Sequence, residues 1–159
     1  MSKLLDQFNR RILRSLQRDG SLSQRELAEK VHLSPNACWN RLQTLKKEGI
    51  ILGQTIRLDR EKLGLGLVVF VMVKTPQHSG EWLDMFRRHV SEIPEVIDFF
   101  RIGGDYDYLL KVVTQDMKSY DGVYRRLIEG VELDAVTSNF AMETIEEQRP
   151  LPVGGAHSG

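Results

Sequence analysis

The chain has 159 residues, of which 41% are hydrophobic and 28% are charged. This is the composition of an ordinary globular protein, and the length allows one or two small domains. No stretch approaches the roughly 18 consecutive apolar residues of a membrane span, so no membrane partner is expected. The opening segment MSKLLDQFNRRIL is charged early and is not expected to act as a secretory signal. The single cysteine excludes an internal disulfide and favours a reducing, cytoplasmic location.

Charge is divided unevenly along the chain. The whole sequence carries 22 basic and 22 acidic side chains, but residues 1–62 hold 13 Lys and Arg against 7 Asp and Glu. That first part has a net charge of +6, and the remainder has −6. Such asymmetry predicts a polyanionic partner for the first part alone, although a solvated basic helix face would give the same count. The arginines expected to add phosphate attraction are Arg10, Arg11, Arg14, Arg18 and Arg25.

Three helices are predicted in the first part of the chain. The first covers residues 5–18, where apolar side chains recur on one side. The second begins at Ser23, which stands three residues before Glu26 in the spacing of a capping box. After a short turn, Ser34 and Pro35 are residue types that favour an N-cap and a first helical position. Two helices joined in this way predict a helix-turn-helix, whose second helix enters the DNA major groove.

The helix after Pro35 is predicted to bury one side and to expose polar and basic groups on the other. Asn and Gln can bridge an adenine edge in the major groove, and Arg or Lys can reach guanine or phosphate. The residues expected to contact DNA are Ser34, Pro35, Asn36, Trp39, Asn40, Arg41, Gln43, Thr44, Lys46 and Lys47, with Arg25 from the preceding helix.

Three side chains of this helix have a second interpretation. Trp39 either stacks on DNA or covers the core of its own domain, and its place beside Asn40 favours the exposed position. Arg41 either clamps a phosphate or pairs with Glu48, and the sequence does not decide between them. Cys38 is a small core residue or a thiol sensor, and its place on the inward side favours the core.

The second half of the chain has a different pattern. A short hairpin, or wing, is predicted around Gly53, and strands and helices then alternate from residue 67 in the order βαββαβ. That order predicts a ferredoxin-like sandwich, in which helices cover only one face of an antiparallel sheet. The open face needs a partner, most simply a second copy. The predicted elements are a strand at 67–75, a helix at 81–91, strands at 95–102 and 106–114, a helix at 117–129 and a long strand at 133–145.

The expected fold class is therefore α+β, with an N-terminal winged helix-turn-helix joined to a C-terminal ferredoxin-like βαββαβ sandwich. The last segment contains two prolines and three glycines and has little to bury, so it is predicted to be flexible. The predicted divisions are a DNA-binding domain at 1–58, a linker at 59–66, an effector-binding and oligomerisation domain at 67–147 and a tail at 148–159.

No motif for catalysis or for a cofactor is found in the sequence. Neither a Walker loop nor a GxSxG or CxxC pattern occurs, and the pair Gly64 and Gly66 is too short for a phosphate loop. The four histidines show no spacing typical of metal ligands. We therefore expect no enzyme activity, no cofactor and no metal.

Several separated motifs closely resemble those of the leucine-responsive regulatory protein/AsnC family of transcription regulators, the feast/famine regulators. The likeness runs over residues 4–147. The motifs PxxCW at 35–39, KTPQHSGEW at 74–82 and SNFAMETI at 138–145 are most similar to a bacterial subgroup that includes an activator of cysteine detoxification. The family motifs are LAEKVHLSPNACWNRLQTLKKEGII at 27–51, PEV at 94–96, GGDYDYLLKV at 103–112 and TSNFAM at 137–142.

The resemblance implies an assembly and an effector site. Family members pair their sheets into dimers, join dimers into tetramers or octamers, and bind an amino acid between dimers. Cysteine or another amino acid would be held by backbone amides of a glycine turn and by an aspartate. A tight hairpin with positive φ at Gly103 and Gly104 is the alternative explanation of that turn. The implied effector contacts are Gly103, Gly104, Asp105, Tyr106 and Asp107, with Thr137 and Ser138 on the last strand.

The predicted function is thus a sequence-specific DNA-binding regulator, modulated by a small amino acid and assembled as a homo-oligomer on double-stranded DNA. Two alternatives stay open. Siroheme decarboxylases resemble the same two-domain family, so an enzyme that holds a tetrapyrrole is one of them. An architectural DNA-binding protein with no effector is the other.

Overall fold

The computed structural model describes residues 4–154, and the contacts within the chain divide it into two units. The first unit holds the described residues up to Arg57 and takes up the chain again from Glu146. The second unit is Leu58–Ile145, which includes the segment predicted as a linker. None of the helices within residues 4–154 has both the length and the apolar character that a bilayer crossing demands.

The first unit contains three helices, α1 (Gln7–Arg18), α2 (Gln24–Val31) and α3 (Pro35–Lys47). Each helix begins where a side-chain oxygen accepts an otherwise unpaired backbone N–H, which is the role of an N-cap. Ser23 and Glu26 form the predicted capping box, and Ser34 caps α3 directly before Pro35. The start of α1 was predicted slightly too early, because Asp6 caps it through the backbone N–H of Asn9.

A small apolar core holds the three helices together. Leu27 and Val31 of α2 and Leu45 of α3 are almost completely buried against Ile12 of α1. Such core side chains typically contribute about 2–5 kcal/mol each when compared with alanine. The complete set of buried residues in this core is Ile12, Leu13, Leu27, Ala28, Val31, Cys38, Leu42 and Leu45.

The second unit is a four-stranded antiparallel sheet with two helices. Along the chain its elements are β1 (Leu67–Lys74), α4 (Gly80–Ser91), β2 (Val96–Arg101), β3 (Tyr108–Thr114), α5 (Met117–Ile128) and β4 (Ala135–Phe140). The strands lie in the order β2-β3-β1-β4, and every neighbouring pair is antiparallel. The predicted ferredoxin-like βαββαβ sandwich is confirmed.

Side chains alternate between the two faces of this sheet, as a strand requires. Val69, Val71 and Val73 of β1 belong to the same core as Phe86 of α4 and Leu127 of α5. The intervening residues of β1 point to the other face, where Phe70 remains 38% exposed. One face is therefore a packed core, and the other face, although Val68 and Val113 at one end are buried, is open at Phe70.

Two predicted strands differ from the structure. Residues 52–58 form no strand, so the predicted hairpin around Gly53 is absent from the described chain. Leu52, Ile56 and Leu58 are largely exposed, so the apolar side chains of this segment are not packed against either core. The last strand ends at Phe140 rather than at residue 145, because Phe140 already pairs with Val69 near the beginning of β1.

The C-terminal segment also differs from its prediction. Residues 150–154 were predicted to belong to a flexible tail, but they lie against α1 and are hydrogen-bonded to Arg10, Arg14 and Gln17. Residues 155–159 of the predicted tail lie outside the described residues. Arg10 and Arg14 were expected to attract phosphate, and their guanidinium groups instead contact this segment.

Candidate DNA interface and effector loop

One face of α3 carries a continuous set of exposed polar and basic side chains. The helix is fixed from behind by Cys38, Leu42 and Leu45, which are buried in the core of the first unit. Trp39 is 46% exposed, so it lies on the outward face rather than covering the core. The exposed residues of this surface, which we call the α3 face, are Pro35, Asn36, Trp39, Asn40, Gln43, Thr44, Lys46 and Lys47, with Ser34 at its start.

Two features modify the chemistry of this region. The Thr44 hydroxyl donates to the backbone oxygen of Asn40 at 3.0 Å. The Asn40 side chain takes no part in that bond. Arg25 of α2 is also exposed, and its Nε lies 3.1 Å from Glu29 Oε1 on the same helix. Since surface pairs of this kind are worth little, Arg25 remains able to exchange Glu29 for a phosphate.

Arg41 has a role that the sequence did not predict. Its NH1 donates to Asp6 Oδ2 at 2.6 Å and to Asn9 Oδ1 at 3.0 Å, and its guanidinium lies over the Phe8 ring at 5.3 Å. Of the two interpretations left open by the sequence, pairing with Glu48 is not found, because Arg41 contacts Asp6 and Asn9 at the start of α1. The structure thus gives Arg41 a contact between helices and separates it from the α3 face.

Asp6 and Cys38 have shifted ionisation. The backbone N–H of Asn9 is the main cause that holds the pKa of the Asp6 carboxyl below its ordinary value; burial opposes it, and Arg41 lowers the pKa further. Burial raises the pKa of the Cys38 thiol above its ordinary value. Cys38 is only 2% exposed, which agrees with the predicted core position. A buried neutral thiol is a poor nucleophile, so the structure does not favour a thiol sensor.

The loop between β2 and β3 is closed by a backbone hydrogen bond from Ile102 N to Asp107 O at 2.8 Å. Gly104 has φ of 121°, a conformation that favours glycine. Gly103 does not have positive φ, so the alternative explanation of the turn, in which both glycines have positive φ, holds only at Gly104. Gly103, Gly104 and Asp105 are all exposed, and a ligand can approach their backbone.

The two aspartates of this loop have different environments. Asp107 Oδ2 accepts the backbone N–H of Thr75 at 2.9 Å, and Asp107 Oδ1 lies 3.8 Å from His78 Nδ1. Both carboxylate oxygens of Asp107 therefore lie next to residues of the loop that follows β1. Asp105 is exposed, so its carboxylate is the more accessible one for a positively charged ligand. The sequence missed Thr75 and His78, because only the strand pairing brings residue 75 beside residue 107.

Thr137 and Ser138 were both expected at the effector site, but β4 separates them. The Tyr106 hydroxyl is hydrogen-bonded to Thr137 Oγ1 at 2.7 Å, which joins the glycine loop to β4. Ser138 is hydrogen-bonded to Tyr120 of α5 instead, on the side of the sheet that the helices cover. Since neighbouring strand residues point to opposite faces, Thr137 can belong to the same site as Tyr106 while Ser138 cannot present its hydroxyl there.

The open face of the sheet carries an apolar row on β2, β3 and β1, which ends at the polar Thr137 on β4. Thr137 pairs with Met72, Met72 with Leu109, and Leu109 with Phe100 of β2. Phe100 is 54% exposed, and the adjacent Phe70 is partly exposed as well. Burying side chains of this kind is favourable by about 25 cal/mol per Å² of apolar surface. We refer to Phe70, Met72, Phe100 and Leu109 as the open-face patch.

Metal binding has no support within residues 4–154. There, no three side chains of His, Cys, Asp or Glu are grouped so that they could hold a metal ion.

A helix-turn-helix with an exposed polar second helix, joined to a ferredoxin-like unit with its own loop site, defines a class of two-domain DNA-binding regulators. The sequence profile of a winged helix-turn-helix DNA-binding domain matches residues 5–51. The profile of the Lrp/AsnC ligand binding domain matches residues 68–151. The chain therefore belongs to the Lrp/AsnC family of transcription regulators, as its motifs predicted.

Similar proteins extend over nearly the whole chain. The DNA-binding transcriptional activator DecR of Escherichia coli is 48% identical over 151 residues, which cover 94% of this chain and 99% of DecR. The crystal structure of an AsnC family transcriptional regulator from Agrobacterium tumefaciens is 44% identical, with a TM-score of 0.90, and the match covers 93% of this chain and 97% of that one. A transcriptional regulator from Neisseria meningitidis, solved in complex with L-Met, is 32% identical with a TM-score of 0.87. That match covers 93% of this chain and 96% of that chain. These proteins are transcription regulators rather than enzymes.

Proposed function

We propose that the protein is a sequence-specific transcription regulator that binds double-stranded DNA through the α3 face and is modulated by a small amino acid bound at the loop containing Gly104 and Asp105. The observation that carries this proposal is that one chain has both surfaces, each exposed and held by its own core. Because its partner is DNA, we place its activity in the cytoplasm.

The α3 face is suited to reading bases. Asn40 and Gln43 supply amides of the type that bridge an adenine edge, and Lys46 and Lys47 supply charge for phosphate. Ser34 and Pro35 lie at the start of the helix, where backbone N–H groups can meet a phosphate oxygen. Trp39 offers a large flat surface beside Asn40. Arg41 is a support for the helix in this proposal, and contacts phosphate only if it leaves Asp6.

Assembly through the open-face patch completes the proposed arrangement. An apolar row on the sheet face that no helix covers is best covered by an identical row of a second copy, because a two-fold axis then pairs the same residues. A dimer would place two α3 faces on one DNA molecule, as pseudo-palindromic sites require. Dimers would join further, to tetramers or octamers, around the effector loops.

The effector is proposed to be a zwitterionic amino acid. The exposed backbone of Gly103 and Gly104 can meet its carboxylate, and Asp105 can meet its ammonium group. Tyr106, held by Thr137, forms the adjoining wall. The L-Met bound to the Neisseria protein supports an amino acid as the ligand class. Cysteine is the first candidate, since the chain's motifs are similar to those of the cysteine-detoxification subgroup.

The test is a DNA-binding titration with the region upstream of the protein's own gene, with and without each of the twenty amino acids. Binding that one or a few amino acids change by about tenfold, or about 1.4 kcal/mol of coupling, supports the proposal. Binding that ignores all of them indicates the architectural alternative. Absence of binding beyond the nonspecific level at moderate salt contradicts the proposal. Conversion of added siroheme would instead indicate the enzyme.

A further inference from the structure

The segment 150–154, which we call the strap, is recognised by α1 through its backbone. The N–H of Leu151 donates to Gln17 Oε1 at 2.6 Å, and Gln17 Nε2 donates to the oxygen of Leu151 at 3.1 Å. One side-chain amide thus satisfies both backbone groups of one residue, as a neighbouring strand would. The Leu151 side chain itself remains 75% exposed, so this contact depends on the backbone rather than on the side chain.

Two arginines hold the end of the strap. Arg14 NH2 donates to the backbone oxygens of Val153 at 3.2 Å and of Gly154 at 2.9 Å, and Arg10 NH1 donates to Gly154 at 3.2 Å. Gly154 has φ of 33°, and a Cβ added there would lie 3.1 Å from Arg10 Cζ. Glycine is therefore suited to this position, since a larger residue would push against the guanidinium that binds it.

The strap also has an apolar anchor. The half-buried Val153 packs against the core of the first unit, beside the helices that carry the α3 face. Side chains of α1 are hydrogen-bonded to Leu151 on one side of this anchor and to Gly154 on the other. The strap therefore has a defined docking site rather than a loose contact. The occupant of that site is a segment of the same chain.

This docking changes how the chain connects its two units. The chain passes from the first unit to the second after Arg57, and it returns to the first unit after Ile145. A single connection would leave the DNA-binding unit free to turn about one flexible segment. A second connection removes much of that freedom, but only while the strap stays bound to α1.

We infer that the strap is a releasable second tether, which restricts the orientations of the DNA-binding unit and thereby sets the spacing of half-sites that a dimer can bind. This inference rests on the proposed function for its effect on DNA. The docking of the strap on α1 is independent of DNA. Release of the strap from α1 is a local opening with a free energy of its own, and a ligand or a mutation can change that free energy.

The test uses the full chain with Val153→Asp, which places a charge in the apolar anchor. Leu151→Asp is the matched control, because it adds the same charge to the strap at an exposed side chain. A second variant, Gln17→Met, keeps the size of the side chain and removes both of its bonds to the strap. Circular dichroism confirms that each variant is folded before it is used.

The first readout needs no DNA. Hydrogen exchange at the amides of Leu151 and Gly154 and the rate of protease cleavage between residues 52 and 58, which form no helix or strand, are compared. We expect exchange and cleavage to be about tenfold faster in Val153→Asp and Gln17→Met, and close to wild type in Leu151→Asp. Equal rates in all four proteins would overturn the inference.

The second readout is half-site spacing. Duplexes with two half-sites are compared with the same duplexes carrying an insertion of about 5 base pairs, half a helical turn. The insertion should weaken the DNA affinity of wild type and of Leu151→Asp by about a hundredfold, because the two DNA-binding units of a dimer can no longer bind both half-sites together. In Val153→Asp the insertion should lower the DNA affinity by less than about tenfold. The affinity of this variant for a single half-site should equal that of wild type. An undiminished spacing penalty in Val153→Asp overturns the inference, whereas loss of single half-site binding in every protein contradicts the proposed function and leaves the strap to be judged by exchange and cleavage.

Discussion

Arg41 of α3 and Asp6 at the start of α1 form an ion pair in which NH1 lies 2.6 Å from Oδ2. Asp6 also caps α1 by accepting the backbone N–H of Asn9 at 2.8 Å. One carboxylate therefore begins the first helix and holds the third helix against it. The side chains of Arg41 and Asp6 are 32% and 40% exposed, so the cap is expected to contribute more to stability than the ion pair.

Substituting Asp6 should separate these two contributions. Asp6→Ala removes the cap and the ion pair, and should lower the free energy of unfolding by about 1–2 kcal/mol. Asp6→Asn keeps a good capping residue and removes only the charge, so it should cost less than about 1 kcal/mol. Urea denaturation followed by circular dichroism measures both. Equal losses in the two variants would show that the cap contributes nothing.

The contribution of the Asp6 charge should depend on pH. In the folded protein the pKa of Asp6 lies below its ordinary value of 3.8, mainly because of the Asn9 N–H and also because of Arg41. The unfolded chain therefore takes up the proton first as pH falls. The stability that this charge provides is complete above the unfolded pKa and is lost as pH falls through the folded pKa. The difference between wild type and Asp6→Asn in urea should shrink between about pH 6 and about pH 3, and a difference that grows would contradict this assignment.

Asn40 is predicted to read a base edge. Asn40→Ala should weaken binding to a selected site by about 1–3 kcal/mol and relax the preference at one base pair. The loss should be absent on random DNA. Competition binding with single-base variants of the site measures the change. If the preference of Asn40→Ala is unchanged at every base pair, Asn40 does not belong to the reading surface.

Lys47 provides the matched comparison, since it lies on the same exposed face near the end of α3. Lys47→Ala should weaken specific and random DNA alike, and should lower the slope of log affinity against log salt by about one. Sequence preference should stay as in wild type. A change of preference in this variant would mean that Lys47 contacts a base instead of a phosphate.

Local signals in the sequence were sufficient for most of the fold. Ser23 with Glu26, and Ser34 with Pro35, fixed the starts of two helices, because caps depend only on residues a turn apart. The continuous β-branched and aromatic run of β1 likewise predicted the buried strand. The predicted hairpin around Gly53 failed because a strand needs a partner, and local pattern does not supply one.

Contacts between distant residues could not be predicted. Glu48 was the only protein partner considered for Arg41 because it lies on the same helix, whereas the observed partner Asp6 is 35 residues away. Ser138 was grouped with Thr137 because both lie in one motif, but successive strand residues face opposite ways. The strap was missed for a related reason, since its backbone is bound by α1 and its own side chains give little sign of it.

The open-face patch is predicted to be the dimer interface. Phe100→Glu should shift the protein towards monomer, because a charge would be buried in the interface between the two paired sheets. Met117→Glu is the control, since Met117 is 56% exposed at the start of α5 in the helical layer. Sedimentation velocity at several concentrations measures both. An unchanged assembly in Phe100→Glu, with circular dichroism as in wild type, would place the interface elsewhere.

The two aspartates of the glycine loop should have separate effects. Asp105→Asn should weaken effector binding by about tenfold or more while the protein remains as stable as wild type, because Asp105 is exposed and would lose only its charge. Asp107→Ala should lower stability by about 1–3 kcal/mol, because the backbone N–H of Thr75 would lose its partner. Titration calorimetry with the effector and urea denaturation measure the two quantities. The opposite pattern would make Asp107 the ligand residue.

Cys38 is predicted to react slowly while the protein is folded. It is 2% exposed, and burial raises the pKa of its thiol. The thiolate is the reactive form, so a thiol reagent at neutral pH should modify Cys38 only when the first unit opens. A raised folded pKa also means that the unfolded chain loses this proton first as pH rises. Stability is therefore unaffected below the unfolded pKa and should decrease above about pH 8.5. Labelling in increasing urea, with Cys38→Ala as the unlabelled reference and control for the pH series, measures both effects. Fast labelling of the folded protein without urea would support a sensor role for this thiol, because a core residue cannot react before the helices separate.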